Sequence, residues 1–291
     1  MIKLIIDSGA DQNAWFSEKY QFGFLPLSII LEGEQYLDKE EITLEELHSA
    51  MKEGKMPSTS QPSPGLIKEE LEKYRKNGDE VIIVSIWKEI SGTYQNIKSV
   101  IDEYKKTHPE FKVALIDCRS GSVAATLIAI QVAEMIKAGY SFEEVSKQAE
   151  WNAAHISIYL TVNDLNWLVK GGRLSKTAGF MGAALKVKPI ISVNSKELYS
   201  ESVVRGKKRV YTKLVQKIKK DTSDFTEQLY LISHVDQEEN AKLVEAQLKE
   251  EIPKAKTMIF EFGAVLAAHI GLGGVAIAAL NQKPKTYISP Y

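Results

Sequence analysis

One cysteine, five histidines and almost no net charge leave several protein classes without support in this 291-residue sequence. Cys118 has no second thiol to pair with, so no internal disulfide frames the fold and a reducing setting is expected. Thirty-seven basic side chains against thirty-eight acidic ones give a formal charge of −1. That balance offers no bulk attraction to nucleic acid, and at most transient contact with an anionic membrane is expected. Met1 is not followed by the basic flank and long apolar run of a signal peptide, so a cytoplasmic location is expected. There is no G-x-x-x-x-G-K-[ST] loop and no protein-kinase motif set, so the chain has no visible means of holding ATP.

The chain does have enough apolar residues, 44% of the total, for more than one small core, and its length suggests two compact domains. Short apolar runs alternate with amphipathic stretches. Ile2 to Ile6, Val81 to Val84 and Val113 to Ile116 read as buried strands that deliver Asp7-Ser8, Ser85 and Asp117 at their carboxyl ends, where α/β sheets bind ligands. Asp7 reads equally as the cap of a turn, and Cys118 as a small buried residue. Leu25 to Leu31 reads as a further strand, and Thr43 with Glu46 matches a capping box. A helix from Ser141 to Ala154 closes this βαβα half. Ile156 to Val162 then opens a second half, so domains at 1–154 and 155–291 are expected. In the second half, Ile190 to Val193 and Leu198 to Val204 suggest a hairpin around Asn194-Ser195. Phe262 to Leu280 is uncharged and long enough to consider as a membrane span. His269 in its middle and Gly271, Gly273 and Gly274 behind it favour a buried helix, a glycine turn and a strand.

The stretch with the least periodicity carries the most chemistry. Met56 to Gly65, MPSTSQPSPG, can be neither an ordinary helix nor an inner strand, because Pro57, Pro62 and Pro64 remove donors and hold their neighbours extended. Thr59 and Ser60 are then hydroxyls on a stiff loop, suited to an anionic oxygen, or simply part of a Ser/Pro-rich connection that caps the next helix. Ser91-Gly92-Thr93-Tyr94 opens an amphipathic helix, and the free amides of a helix start attract anions; the plainer reading makes Ser91 an N-cap. Asn163 to Lys170 reads as a short helix stopped by Gly171-Gly172, with Arg173 just beyond. Its guanidinium could meet a carboxylate or phosphate, or the helix's last carbonyls. Arg205 begins a run of four basic residues in five, a phosphate site or a solvated helix start. His269 is a site candidate beside glycines, or a satisfied core histidine.

Taken together, these motifs resemble the bacterial DegV proteins, whose members include the fatty-acid-binding component of fatty acid kinase. The resemblance rests on Asp7-Ser8, on Pro57-Ser-Thr-Ser-Gln-Pro-Ser63 and on Ser91-Gly-Thr-Tyr-Gln95. It also rests on the run from Leu165 through Gly171-Gly172-Arg173 to Lys188-Pro189, on Val204-Arg-Gly-Lys207, and on His269 with its glycines. The sequence departs from the family's usual residues at Ala268, at Leu272 and at Cys118, where threonine, proline and serine are common. The resemblance implies an α/β fold of two domains: an N-terminal three-layer α/β/α domain with a mainly parallel sheet, and a C-terminal α/β domain with a mixed sheet. It implies a long-chain fatty acid held between them, its carboxylate around Thr59, Ser60, Ser91, Gly92 and His269, and its tail in the first domain. Arg173 and Arg205 would serve phosphotransfer or docking of an ATP-binding kinase subunit, which would bring ATP and Mg; no cofactor or metal of the chain's own is implied. In this reading the protein is a substrate carrier. A different class, a stand-alone enzyme on a small phosphorylated or carbonyl substrate, would use His269 as base or nucleophile.

Overall fold

Continuous apolar runs such as Ile2–Asp7 and Glu80–Ser85 are too short for helices and too apolar for one-sided strands, so they fold as strands covered on both faces. The computed structural model describes residues 1–174, 187–194 and 196–291. The first half runs β1 (Ile2–Asp7), α1 (Ala14–Lys19), β2 (Phe22–Leu25), β3 (Ser28–Leu31), β4 (Glu34–Leu37), α2 (Leu44–Lys52), β5 (Ser58–Ser60), α3 (Pro64–Lys76), β6 (Glu80–Ser85), α4 (Thr93–Thr107), β7 (Val113–Asp117), α5 (Val123–Lys137) and α6 (Phe142–Ala154). The second continues with β8 (Ile156–Thr161), α7 (Asn166–Lys170), β9 (Val187–Val193), β10 (Leu198–Arg205), α8 (Lys207–Asp221), β11 (Leu229–His234), α9 (Glu238–Glu251), β12 (Lys256–Glu261), α10 (Ala264–Ile270) and β13 (Val275–Leu280). Residues 175–186, in the middle of the run from Leu165 to Pro189, and Ser195 of the expected hairpin turn lie outside the described residues.

The first sheet is parallel throughout, in the order β2-β1-β6-β7. Helices α3 and α4 cover one face, α5 and α6 the other. The second sheet is mixed, in the order β10-β9-β8-β13-β11-β12, with only β11 and β12 parallel. Helices α8 and α9 cover its outer face, and α5 of the first half packs on the inner face against β8, β11 and β13. That shared position explains the composition of α5: VAATLIAIQVAEMIK has no polar stripe because both its sides meet a sheet. One apolar cluster accordingly runs from Leu4 and Ile6 through α5 to Ala278 and Leu280.

Three local expectations are corrected. Leu25 to Leu31 is not one strand: Pro26 has no N–H to offer a ladder, the chain bends there, and β3 leaves the parallel sheet for a three-stranded antiparallel one, β4-β3-β5. Residues 58–60 are not loop but the edge strand β5 of that small sheet, a position compatible with the prolines on either side. The short helix expected from Asn163 begins only at Asn166, because the Asn163 amide is engaged elsewhere, donating to the Leu272 carbonyl at 3.0 Å. The capping box of Thr43 and Glu46 and the start of α3 behind Ser63 form as the sequence suggests. Phe262 to Leu280 divides into α10, a glycine turn and β13. Among the described residues, no helix is long and apolar enough to cross a membrane.

Candidate functional site

The small antiparallel sheet positions one wall. Strand β5 lies against β3, with Thr59 opposite Ile29 and Ser60 opposite Ser28, so both hydroxyl-bearing residues stand on a fixed backbone. Helix α10 from the far end of the chain docks on β3, β5, α2 and α7. It is wholly buried and carries His269 to Thr59, where Thr59 Oγ1 and His269 Nε2 share a hydrogen bond of 2.9 Å. His269 is 7% exposed, and burial, with a smaller contribution from Arg173, pushes its pKa down to about 4; the ring is neutral at pH 7. Its Nδ1 is buried and unpartnered, an uncommon state for a polar atom. The backbone passes it closely at Gly171, where a β-carbon would lie 2.5 Å from that nitrogen.

The second wall is the turn between β6 and α4. Asp7 fixes its origin: one carboxylate oxygen accepts from Gly9 N at 2.8 Å, the other from Ser85 Oγ at 2.7 Å and Ile86 N at 2.9 Å. The turn-capping reading of Asp7 is therefore the structural one, with burial raising its pKa to about 6. Ser91 Oγ accepts from Thr93 N at 3.3 Å, but the helix boundary places the N-cap at Gly92, one residue later than expected. Gly92 is exposed, and its N–H meets no acceptor among the described residues. The free amide and the Ser91 hydroxyl stand at the positive end of a 15-residue helix, an arrangement that accepts an anionic oxygen. A β-carbon on Gly92 would lie 2.9 Å from Gln61 Oε1, and Asn96 Nδ2 donates to the Pro62 carbonyl at 2.7 Å, so the proline segment closes over this helix start.

Arg173 joins the two walls. Its Nε donates to the Ile90 carbonyl at 3.1 Å and its Nη1 to the Gly171 carbonyl, so it bridges the residue before Ser91 and the residue beside His269. The helix-carbonyl reading describes its contact with Gly171, and the Ile90 carbonyl adds a second acceptor from outside that helix. Arg205 is exposed at the end of β10 and makes no described contact with the other candidates. The structure thus brings together Thr59, Ser91, Gly92, Arg173 and His269, with Ser60 adjacent in β5 and Arg205 apart. Gln61, Asn96 and Gly171 were not singled out as site residues; Gln61 and Gly171 lie inside recognised motifs, but their roles depend on contacts over long sequence separations. Cys118 is buried, donates to the Ser120 carbonyl and has its pKa raised by burial, which fits an inert thiol. Among the described residues, no group of three His, Cys, Asp or Glu side chains is arranged to hold a metal ion.

Two α/β sheets sharing a buried helix, with hydroxyls, a free amide and a neutral imidazole where the halves meet, define the class as a two-sheet α/β protein. The chain matches the profile of the uncharacterised proteins of the DegV family over residues 1–282 and belongs to that family. Two DegV domain-containing proteins of Clostridium perfringens are 29% and 31% identical to it, each covering 97% of this chain and 99% of the relative. Among solved structures, the DegV family protein of Ruminococcus gnavus, described with vaccenic acid, superposes with a TM-score of 0.86 at 26% identity, covering 96% of this chain and 99% of that one. DegV of Bacillus subtilis, described as a fatty acid binding protein, gives 0.84 at 28% identity, covering 95% and 98%. A fatty-acid-binding DegV family protein of Streptococcus agalactiae gives 0.85 at 27%, covering 97% and 99%.

Proposed function

We propose that this protein binds a long-chain fatty acid and presents its carboxylate to an ATP-dependent kinase partner, carrying the resulting acyl-phosphate toward phospholipid synthesis. Thr59, Ser60, Ser91, Gly92 and His269 receive the carboxylate. The observation that carries the reading is the buried Thr59–His269 hydrogen bond, which joins β5 to α10 in the seam that Arg173 ties to the residue before Ser91. Hydroxyls and amides serve a carboxylate and its phosphorylated product alike, whereas a cation held against the carboxylate would lower its nucleophilicity. The solved relatives described as fatty-acid-binding support the ligand class.

The tail is buried in the first domain, where Ile67, Leu71, Ile97 and Ile101 form an apolar layer against the parallel sheet. Burial at about 0.8 kcal/mol per methylene gives a dozen methylenes on the order of 10 kcal/mol before the costs of association. The tail supplies affinity and the hydroxyls orientation. Residues 1–154 form the tail-binding domain, and 155–291 contribute His269 and the docking residues Arg173 and Arg205. The enzyme alternative needs a group to orient His269 as a base, and no carboxylate reaches either ring nitrogen among the described residues.

The test is mass spectrometry of protein purified natively from cells, then denatured and extracted into organic solvent. A near-stoichiometric, non-covalent fatty acid is expected. No extractable lipid, together with no uptake of added fatty acid, would sink the reading.

A further inference from the structure

The turn that ends α10 fixes where His269 sits, and one short segment of chain meets that turn and the histidine at three places. Residues 163–171 follow β8, and those spaced by four face α10. Asn163 donates through Nδ2 to the Leu272 carbonyl at 3.0 Å, the Trp167 ring lies against Gly271, and Gly171 passes His269 Nδ1. The turn is confined on its other side as well. Gly271 and Gly273 hold φ values of +78° and +79°, and a β-carbon on Gly273 would overlap the Asn163 carboxamide. Gly273 N donates to the Val235 carbonyl at 2.9 Å, and the Gly274 carbonyl accepts from Val235 N at 3.0 Å. His269 lies two residues before Gly271, so a shift of the turn is a shift of the imidazole.

Asn163 is braced by a charge. Tyr159 pairs with Ser192 and Leu160 with Ile191, and the same antiparallel register carried past the end of β8 sets Asn163 opposite Lys188 of β9. Lys188 Nζ donates to Asn163 Oδ1 at 2.8 Å and to the Asn163 backbone carbonyl at 3.4 Å. An ammonium on the amide oxygen draws electrons from the carboxamide and strengthens its N–H as a donor. Lys188, Asn163 and the Leu272 carbonyl are therefore a polarised chain that ends on the α10 turn.

We infer that Asn163, braced by Lys188, is a positioning residue for His269: it holds the turn behind α10 where the imidazole meets Thr59, and so sets the grip on the carboxylate. The inference rests on the fatty-acid reading above and adds two residues outside the head-group cluster, on the strand pair β8 and β9 of the second half.

The experiment compares the full-length protein with Asn163→Ala, Asn163→Asp, Lys188→Met and Lys188→Arg. It reads fluorescent fatty-acid displacement, and the imidazole NMR signals of His269 in the unliganded protein, identified by their loss in His269→Gln. Asn163→Asp still accepts from Lys188 but cannot donate to Leu272; like Asn163→Ala, it should weaken fatty-acid binding about tenfold and shift the His269 signals. Lys188→Met should weaken binding about threefold, and Lys188→Arg should restore it. Lys188→Met added to Asn163→Ala should cost nothing further, because the two residues act in series. A folded Asn163→Ala protein with undiminished affinity and unchanged His269 signals overturns the inference. A lower melting temperature in the Asn163 variants without any His269 shift overturns it too, leaving Asn163 a structural contact only. An effect of Asn163→Ala without one of Lys188→Met overturns the brace. The ring signals are read without lipid, so the two readings fail separately: if the unsubstituted protein takes up no fatty acid while Asn163→Ala shifts the signals, the carrier reading falls and the positioning of His269 stands.

Discussion

At the scale of single residues, the candidate site is made of groups with hydrogen-bonding capacity left over. Ser91 and Thr59 each offer a hydroxyl, Gly92 an amide and His269 a buried nitrogen. Ser91→Ala and Thr59→Ala should each weaken fatty-acid retention about tenfold, the worth of one hydrogen bond, measured by fluorescent fatty-acid displacement. Arg205→Ala should leave that affinity unchanged and lower acyl-phosphate formation with a kinase partner. Arg173→Ala should lower both, since Arg173 also ties the turn before Ser91 to Gly171. Equal loss of lipid in the Ser91 and Arg205 variants would contradict this division. His269 adds a pH signature. Its pKa falls from 6.5 to about 4 on folding, so the unfolded chain binds the proton more readily. The stability tied to a neutral His269 is complete above pH 6.5 and is lost as the pH falls toward 4, by roughly 3 kcal/mol at most. Asp7 and Asp11, both raised to about 6 by burial, act with the opposite sign: their penalty is relieved as the pH falls through 6. Denaturant titrations of the unliganded protein and His269→Gln from pH 7 to about pH 4 isolate the histidine. The variant should lose less stability on acidification, and parallel curves would place the His269 proton elsewhere. The residue types were legible in the sequence because hydroxyls between prolines and a histidine among glycines stand out. That Thr59 and His269 share one place followed only from the family resemblance, and their direct hydrogen bond from the structure, since no local pattern connects residues 210 positions apart.

At the scale of elements, helix starts and turns were readable because their chemistry is local. Thr43 and Glu46 close their capping box, as do Ser141 and Glu144, and Ser63 caps α3 by accepting from Leu66 N. Strand length was less readable: Pro26 divides Leu25 to Leu31 between two sheets, and β5 exists only because β3 offers it an edge. The turn after α10 is the most constrained. Gly271 has a φ of +78°, and a β-carbon there would lie 2.4 Å from the Trp167 ring of α7. Gly271→Ala should therefore combine left-handed strain with a clash and cost about 2–4 kcal/mol in chemical denaturation, with a matching loss of ligand affinity because α10 carries His269. A substitution without cost would mean that α7 moves away from α10 freely.

At the scale of the whole molecule, the halves are joined by shared packing and by buried polar contacts. Helix α5 is the packing layer between the sheets. Asp11 is the polar tie: its carboxylate accepts from Ser122 Oγ before α5, from Ser233 Oγ in β11 at 2.8 Å and from Gly263 N before α10 at 2.9 Å. Asp11→Ala leaves those buried donors unpaired and should destabilise the fold by about 3–5 kcal/mol, visible as a lower melting temperature. A shift no larger than that of an exposed aspartate would rule out the tie.

The sequence alone determined what depends on neighbours within a turn or two: the alternation of strands and helices, most caps, the inert role of Cys118 and the hydroxyl-rich stretch at 58–63. Side-chain period and backbone donors act over that range. Only the tertiary structure decided that one apolar helix serves both sheets, that α10 crosses to β5, and that Arg173 bridges Ile90 and Gly171. These juxtapositions join distant parts of the chain, and the burial of shared apolar surface and the pairing of buried polar groups select them, which no short segment can encode.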